Sequence, residues 1–382
     1  MEVQEHHSFT GPKKRHHTLD SKFSPMDAQW KQMLQQEKVT DPIAYAYFML
    51  EKVSRTFALN IQTLSPKLRF QVLLSYLFCR IADTLEDDNE LTPEIKINLL
   101  KQFSELFTIT PTGNAGVLAF VNQLPQSWKN SDKWDHLLTY HSSSLFSLYF
   151  NLPDPVKKSI TMWVKEMCDG MALFTKKQLL ESNKPLIQTT DELDKYCYYV
   201  AGTVGNLLCD LFYLQSPFIG KVRYKKLKEK AVSFGLGLQL TNILKDVNED
   251  LSRNILFLPH SLLKTYKLSK KNLALPENKQ PMKEISRELI KKALNHLEDA
   301  LDYTCGLPRL EPRIRLFCLW PLFMALETLI LLSKTNNSLS TGYKIKITRL
   351  QVKDIIKKTS LIWWSNRLLT NFFNKRKLAL HI

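Results

Sequence analysis

The sequence predicts an all-α protein with one large domain, and three observations support this prediction. Apolar residues recur with a period of about 3.6 along most of the 382 residues, and no stretch alternates as a half-buried strand would. Glycine occurs only 11 times while hydrophobic residues make up 44% of the chain, which favours long helices. No shift in composition separates two domains. We therefore expect a disordered polar tail at 1–26, one domain at 27–373 and a basic tail at 374–382.

Proline and turn residues mark where several of the predicted helices begin. Ser65 and Thr92 are each followed by a proline, which is the pattern of a capping residue before the first helical turn. Two segments rich in proline, asparagine and lysine, 125–135 and 273–281, indicate surface connections. The predicted helices span 43–63, 67–88, 93–108, 155–183, 190–215, 220–250, 281–304, 310–334 and 349–373.

Two short acidic clusters lie near the ends of two of these helices. Each places carboxylates at i, i+3 and i+4, so that on a helix all of them project from one face. Like charges this close repel each other unless a cation lies between them. Mg²⁺ prefers carboxylate oxygens and is commonly completed by substrate phosphates, so the pattern predicts a magnesium–diphosphate site. The predicted ligands are Asp83, Glu86 and Asp87 in the first cluster, and Asp246 and Asp250 in the second.

A polar stripe runs along the second helix into its cluster. Gln239 and Asn242 precede Asp246 at helical spacing, whereas the neighbouring positions are mainly leucine, isoleucine and valine. A solvated helix face is the ordinary explanation of such a stripe, but these apolar neighbours favour a stripe that faces an interior cavity. Arg80 lies one turn before Asp83 and suits a phosphate group, because a guanidinium binds phosphate oxygens bidentately. The alternative is an ion pair within its own helix.

Gly202 and Gly205 lie three residues apart in an apolar predicted helix between the clusters. Glycine weakens a helix by about 1 kcal/mol relative to alanine, so this pair needs an explanation. A bend in the helix, a ligand that approaches the backbone and close packing of two helices are the three explanations that the sequence leaves open.

Four motifs, in this order and spacing, resemble the squalene and phytoene synthase family. They are SRTF from Ser54, DTLED from Asp83, YCYYVAGTVG from Tyr196 and QLTNILKDVNED from Gln239. The resemblance covers roughly residues 40–360. It implies a single-domain isoprenoid-synthase helical fold, in which the two acidic clusters face each other across a central apolar cavity.

The same resemblance implies a Mg²⁺-dependent prenyl transfer. Metal held by both clusters on farnesyl diphosphate would neutralise the leaving group, and the allylic cation would couple 1′–1 with a second prenyl chain. Tyr196 would assist proton removal or stabilise cationic charge. The implied catalytic residues are Tyr196, Asp83, Asp87, Asp246 and Asp250, and the implied substrate contacts are Ser54, Arg55, Gln239 and Asn242.

Within the family, the chain most resembles the reductive squalene synthases, which reduce the cyclopropyl intermediate with hydride from NADPH. The chain extends well past the core of the non-reducing dehydrosqualene and phytoene synthases, which are the alternative. The family commonly has arginine where this chain has Lys245 and Ile255, and Arg253 could replace the second only from a different angle. The implied nicotinamide contacts are Arg55, Arg80, Lys245, Lys344 and Lys346.

The charge of the chain predicts anionic partners, since its formal net charge is +16. Eleven Lys/Arg residues and a single acidic residue lie in 333–382, with Trp363, Trp364, Phe372 and Phe373 among them. This pattern suits an interfacial helix on an anionic membrane; a last helix packed on the core is the alternative. A non-enzymatic nucleic-acid- or membrane-binding protein would leave the acidic clusters unexplained, so we expect no nucleic-acid partner. The oligomeric state stays open.

The sequence indicates a cytoplasmic protein with peripheral membrane contact. Residues 1–25 lack the apolar region of a secretory signal, and six scattered cysteines without CxxC spacing indicate a reducing compartment. The most apolar stretch, 316–332, contains Pro321 and Glu327. It therefore predicts a buried core helix and not a membrane span.

Overall fold

The computed structural model describes residues 25–36, 39–108, 115–180, 185–334 and 345–381. Across those ranges the chain is helical and forms no strand, which confirms the all-α prediction. The chain divides into two compact units, Met1–Val39 and Thr40–Ile382. The first unit contains α1 (Pro25–Gln35). The domain boundaries that we expect at 27 and 373 stay predictions.

The first half of the second unit contains seven helices in its described residues: α2 (Pro42–Val53), α3 (Arg55–Gln62), α4 (Pro66–Asp87), α5 (Pro93–Glu105), α6 (Ala115–Val121), α7 (Trp134–Tyr140) and α8 (Ser143–Phe150). The helix predicted at 43–63 is interrupted at Ser54. This residue has an extended backbone, and its hydroxyl accepts a hydrogen bond from the Phe57 N–H at 3.2 Å, which starts a new helix.

The second half contains nine helices in its described residues: α9 (Asp154–Leu180), α10 (Thr190–Cys197), α11 (Thr203–Gln215), α12 (Lys221–Ser252), α13 (His260–Thr265), α14 (Lys279–Gly306), α15 (Pro312–Lys334), α16 (Arg349–Ile362) and α17 (Asn366–Lys377). A π-helical turn, Tyr198–Gly202, joins α10 to α11. Short 3₁₀ turns lie at Gln126–Asn130 and Pro276–Asn278. The helix predicted at 349–373 is interrupted where Ser365 caps α17.

Aromatic packing fixes α4, the helix that carries the first acidic cluster. The Phe78 side chain is fully buried, with its ring centroid 4.9 Å from that of Phe107 and 5.0 Å from that of Phe146. The helix that carries the second cluster, α12, packs against α11, α14 and α15. Because α11 contacts both α4 and α12, it holds the two acidic helices at a fixed separation.

The apolar helix α15 forms part of the core. By length and composition it could cross a membrane, with a mean hydropathy of 2.0, but 83% of its apolar window is buried inside the protein. Its Glu327 is 3% exposed and forms an ion pair with Arg376 of α17. The prediction of a buried core helix at 316–332 is therefore confirmed.

The C-terminal helix α17 also packs on this core. Leu369 and Phe373 are fully buried, and the ring centroid of Phe372 lies 4.8 Å from that of Phe323. Lys377 forms an ion pair with Glu298 of α14. The Phe373 ring is therefore enclosed between helices and cannot contact a membrane, whereas the membrane contact of the C-terminal segment as a whole stays a prediction.

Candidate active site

Helices α4 and α12 line the same cavity, which has a volume of about 460 Å³. Both acidic clusters lie in its wall, together with Tyr196. Much of the remaining lining is apolar and comes from several helices, with examples in Phe57, Ile61, Leu208, Phe212, Leu238 and Phe317. The cavity therefore has a strongly polar region and a large apolar region.

The ends of the two helices make the polar region negative. The first cluster occupies the last two turns of α4, which ends at Asp87, and the second lies just before α12 ends at Ser252. A helix C-terminus carries about half a negative charge, which favours cations nearby and disfavours carboxylates. The carboxylates thus add to two negative helix ends, and the site attracts cations.

The first cluster is poorly compensated. Within the described residues, none of its three carboxylates accepts a hydrogen bond from a side chain. Desolvation raises the pKa of Asp83 to about 7; Arg80 opposes this rise and Asp87 adds to it. Desolvation and the charge of Asp87 hold the pKa of Glu86 well above its usual range. Desolvation also raises the pKa of Asp87, against the positive charge of Arg253.

The second cluster, by contrast, is paired with basic side chains of its own helix. Arg253 Nη2 donates a hydrogen bond to Asp250 Oδ1 at 2.6 Å, and only 8% of the Asp250 side chain is exposed. Desolvation raises the pKa of Asp250, and the hydrogen bond from Arg253 opposes the rise. Lys245 Nζ lies 3.2 Å from Asp246 Oδ2. Protein cations therefore neutralise this cluster in part.

The chemistry of these donors fits Mg²⁺. The described residues contain no group of three His, Cys, Asp or Glu side chains already placed around one metal position. Mg²⁺ commonly takes only one or two protein carboxylates and completes its shell with water and substrate phosphates, so a preformed cage is not needed. Carboxylate oxygens with unmet negative charge, on two walls of one cavity, match that requirement.

Tyr196 is 5% exposed and lies between two aromatic rings in the cavity wall. Its ring stacks on Phe257, with centroids 4.8 Å apart, and meets Phe174 edge-on at 5.2 Å. Desolvation raises the pKa of Tyr196 well above its usual value, and the negative charges of Glu86 and Asp87 add to the effect. The hydroxyl therefore stays protonated at neutral pH.

The sequence of the chain matches a known protein family over most of its length. A model of squalene/phytoene synthases matches residues 50–351, a range that contains both clusters and Tyr196. The chain belongs to the squalene/phytoene synthase family.

The curated relatives that the chain resembles are squalene synthases. The chain is 32% identical to that of Saccharomyces cerevisiae over 313 residues, 31% identical to that of Schizosaccharomyces pombe over 320, and 32% identical to that of Solanum lycopersicum over 293. These alignments cover 75–81% of this chain. The chain spans 63–66% of the length of these relatives.

The fold also matches solved structures. A complex of TcSQS with a ligand superposes with a TM-score of 0.73 at 24% identity, covering 88% of this chain and 91% of that chain. A dehydrosqualene synthase superposes with a TM-score of 0.60 at 21% identity, covering 90% and 99%. These matches confirm the isoprenoid-synthase helical fold that the motifs imply.

The glycines of the third family motif allow two helices to touch. A Cβ atom at Gly205 would overlap the carbonyl oxygen of Ala231, and one at Gly235 would overlap that of Ala201. Close packing of α11 against α12 therefore explains Gly205. The π-helical turn at Tyr198–Gly202 gives the motif a local distortion as well, and such turns are frequent at functional sites.

The implied substrate contacts differ in where the structure places them. Gln239 and Asn242 line the cavity. Ser54 caps α3 and hydrogen-bonds with the side chain of Tyr76, and it is not among the described residues of the cavity lining. For Arg55 the structure describes only the backbone, at the start of α3.

The implied nicotinamide contacts are also divided. Arg80 and Lys245 line the cavity. Arg80 Nε donates a hydrogen bond to Asp135 Oδ1 at 2.7 Å, so the ion pair within its own helix is not what the structure shows. Lys346 is exposed and does not belong to the described cavity lining, and Lys344 lies outside the described residues.

Sequence reasoning missed Lys96, which lies on α5 behind the first cluster. Its Nζ donates to the backbone carbonyl of Glu86 at 2.5 Å, which caps the end of α4. Desolvation lowers the pKa of Lys96, against the charges of Asp87 and Glu86. The sequence signal for this contact is the predicted helix start at Thr92-Pro93, which places Lys96 in the first turns of a helix directly after the cluster.

A buried pair of side chains also supports this helix end. His136 Nε2 lies 2.7 Å from Asp88 Oδ2, and its Nδ1 lies 3.1 Å from Ser131 Oγ. The imidazole stacks on the fully buried ring of Trp128, with centroids 4.2 Å apart. The segment 125–135 is mostly exposed or half-buried, as a surface connection would be, but its Trp128 is fully buried and its Ser131 contacts His136, so it also supports the residue that follows Asp87.

Proposed function

We propose that the protein is a squalene synthase. It joins two molecules of farnesyl diphosphate 1′–1 into presqualene diphosphate and reduces this intermediate with NADPH to squalene. The shared cavity is the observation that carries the proposal: carboxylates at two negative helix ends lie in the wall of a largely apolar space. A metal-bound diphosphate suits the first part and farnesyl chains suit the second.

The two clusters would act together on the diphosphate. Asp83, Glu86 and Asp87 would hold Mg²⁺ on one side, with Asp246 and Asp250 on the other. Mg²⁺, when bound, neutralises the charge that develops on the leaving diphosphate. The carboxylates of α4 fix the position of the diphosphate head, because both helices are held by the core and by α11.

The apolar part of the cavity would protect the cation that forms. The ring of Tyr196 is held in place by Phe257 and Phe174, and its face can stabilise positive charge. Its protonated hydroxyl can orient a proton transfer at the coupling step. Phe212 and Phe317 exclude water, which would otherwise quench the cation.

The reductive step is proposed from the likeness to squalene synthases. NADPH, when bound, supplies a hydride. Arg80 and Lys245 place positive charge in the cavity wall, which suits an anionic cofactor. Both are, however, already paired with Asp135 and Asp246. This pairing favours a second candidate function, a dehydrosqualene or phytoene synthase that needs no nicotinamide.

Product analysis distinguishes the two candidates. We would incubate the purified protein with farnesyl diphosphate and Mg²⁺, with and without NADPH, and identify the extracted products. Squalene that forms only with NADPH supports the reductive function. Dehydrosqualene, formed equally with and without NADPH, would replace it with the second candidate.

We further propose that the protein contacts an anionic membrane peripherally through the exposed side of α16 and α17. Leu361 is 66% exposed and Trp364 is 52% exposed, and the basic residues Lys357, Arg367 and Lys375 are exposed in the same segment. Apolar and basic side chains together suit the surface of an anionic bilayer, because the first insert and the second pair with headgroups.

Vesicle flotation tests this membrane contact. In a double variant, Leu361→Ser with Trp364→Ser, binding to vesicles that contain phosphatidylserine should fall at least about threefold. Both side chains would otherwise bury apolar area in the bilayer. Leu310→Ser is the matched control, because Leu310 is 68% exposed in a different part of the chain. Equal binding of all variants, or equal binding to uncharged vesicles, would contradict the proposal.

A further inference from the structure

The way in which α12 ends brings Arg253 into the cavity. Asn254 has a left-handed backbone with φ of 60°, which asparagine tolerates better than most residues. The N–H of Ile255 donates to the Asp250 carbonyl at 2.8 Å, and that of Asn254 donates to the Leu251 carbonyl at 2.9 Å. This pair of bonds is a Schellman motif, and it places Arg253 at the C-cap, in the cavity lining.

Arg253 therefore enters the site two residues before the position at which the family commonly has arginine. Ile255, which occupies that position, does not belong to the described cavity lining. The guanidinium is the group that a diphosphate site requires, since its planar set of donors matches phosphate oxygens.

Arg253 contacts the second cluster directly and lines the same cavity as the first. Its Nη2 donates to Asp250 Oδ1 at 2.6 Å. Among the charges around Asp87, that of Arg253 lowers the pKa of this carboxyl most, ahead of those of Arg80 and Lys96. Its Nε is buried and has no hydrogen-bond partner among the described residues. A buried donor without a partner is costly, so a ligand atom that accepts its hydrogen bond gains affinity.

We propose that Arg253 is an internal cation of the diphosphate site, which pairs with the second carboxylate cluster in the ligand-free protein and turns to the diphosphate when the metal–diphosphate binds. The part that concerns diphosphate rests on the proposed function; the part that concerns the carboxylates rests on the contacts alone. The same guanidinium thus competes with divalent cations for Asp250 and, once they are bound, helps to hold the anion.

Replacing Arg253 should consequently change two affinities in opposite directions. Arg253→Gln frees the carboxylates, so the protein without diphosphate should bind Mn²⁺, a spectroscopic substitute for Mg²⁺, about tenfold more tightly. The same variant lacks the charged donors, so inorganic pyrophosphate at saturating Mg²⁺ should bind about tenfold more weakly. A role limited to folding would weaken both affinities together.

Electron paramagnetic resonance measures the free Mn²⁺, and titration calorimetry measures pyrophosphate binding, with the full chain in each case. Arg287→Gln is the matched control: Arg287 pairs with Glu284 at the same i,i+3 spacing, its Nε is also buried without a described partner, and it does not belong to the described cavity lining. This control should leave both affinities within about twofold of the unchanged protein.

Arg253→Lys provides a second variant, in case the glutamine variant does not fold. Its ammonium still competes for the carboxylates, so Mn²⁺ binding should stay within about twofold, whereas pyrophosphate binding should weaken at least about threefold without the guanidinium fork. The proposal is supported if Arg253→Gln binds Mn²⁺ more tightly and pyrophosphate more weakly, or if Arg253→Lys keeps its Mn²⁺ affinity and loses pyrophosphate affinity. Any other pair of results overturns it. Neither measurement involves turnover, so failure to form squalene would refute the proposed function separately.

Discussion

Asp83→Asn should make the metal-free protein more stable while it removes the metal-dependent activity. The carboxyl of Asp83 is half-buried in the cavity wall, close to Asp87, at the negative end of α4. Its charged form is therefore unfavourable unless a cation lies beside it. Asparagine has nearly the same shape and no charge, so the substitution tests this electrostatic cost with little change in packing.

The magnitude follows from the pKa of this group. Desolvation raises the pKa of Asp83 from 3.8 to about 7. Each pKa unit corresponds to about 1.36 kcal/mol, so the charged carboxyl costs up to about 4 kcal/mol of folding free energy. Because cavity water reaches a half-buried carboxyl, we expect about half of this value, roughly 2 kcal/mol.

The sign of the pH dependence follows from the same pKa. A carboxyl whose pKa is raised by folding binds its proton more tightly in the folded state. Its contribution to stability is therefore complete below pH ~4 and is lost as the pH rises through about 7. Asp83→Asn should match the unchanged protein near pH 4 and exceed its free energy of unfolding by roughly 2 kcal/mol at pH 8.

Urea unfolding between pH 4 and 8, in chelator and then in excess Mg²⁺, measures these differences. Asp354→Asn is the control, because Asp354 forms a surface pair with Lys358 and its loss should change stability by less than about 0.5 kcal/mol. In Mg²⁺ the order should reverse, since only the unchanged protein gains from binding metal. A lower stability of Asp83→Asn at pH 8 in chelator, or a difference that does not vary with pH, would refute the electrostatic account.

Three further predictions concern other parts of the fold. Tyr196→Phe keeps the ring packing but loses the hydroxyl, so kcat for prenyl coupling should fall about 10²-fold with an unchanged thermal midpoint; an unchanged kcat would remove the hydroxyl from the mechanism. Gly235→Ala inserts a Cβ into the Ala201 backbone and should destabilise the protein by about 1–3 kcal/mol in urea unfolding, while Gly220→Ala, with no atom within 4 Å of the new Cβ, is the control. Phe373→Ala should lower the free energy of unfolding in urea by about 3–5 kcal/mol, because the ring is fully buried. Leu378→Ala is the control and should lower it by less than about 0.5 kcal/mol, because Leu378 is 86% exposed; equal effects would contradict the packing of α17.

Patterns that are local in the sequence predicted much of this protein. The spacing of Asp83, Glu86 and Asp87 fixes one helix face wherever the helix lies, and the prolines that follow Ser65 and Thr92 fix where α4 and α5 begin. Family motifs then related the two clusters to each other, which spacing alone could not do.

Other features depend on the tertiary structure and were not predictable from these patterns. The sequence offered Arg253 only as a replacement from a different angle; it enters the cavity because Asn254 adopts a left-handed backbone and ends α12, a choice that the periodicity of the helix does not specify. Phe373 is buried because α15, some 50 residues earlier, offers a surface for it and a buried carboxylate, Glu327, for Arg376. An amphipathic basic helix on a membrane and one packed on the core have the same sequence pattern.

The central claim is that both carboxylate clusters act on one metal-bound diphosphate, and formation of presqualene diphosphate without NADPH tests it most directly. The unchanged protein, Asp83→Asn and Asp246→Asn would be given radiolabelled farnesyl diphosphate and Mg²⁺, with circular dichroism to check folding. We predict labelled presqualene diphosphate from the unchanged protein and at least a ~10²-fold lower rate from each folded variant. A normal rate in either variant would contradict the claim.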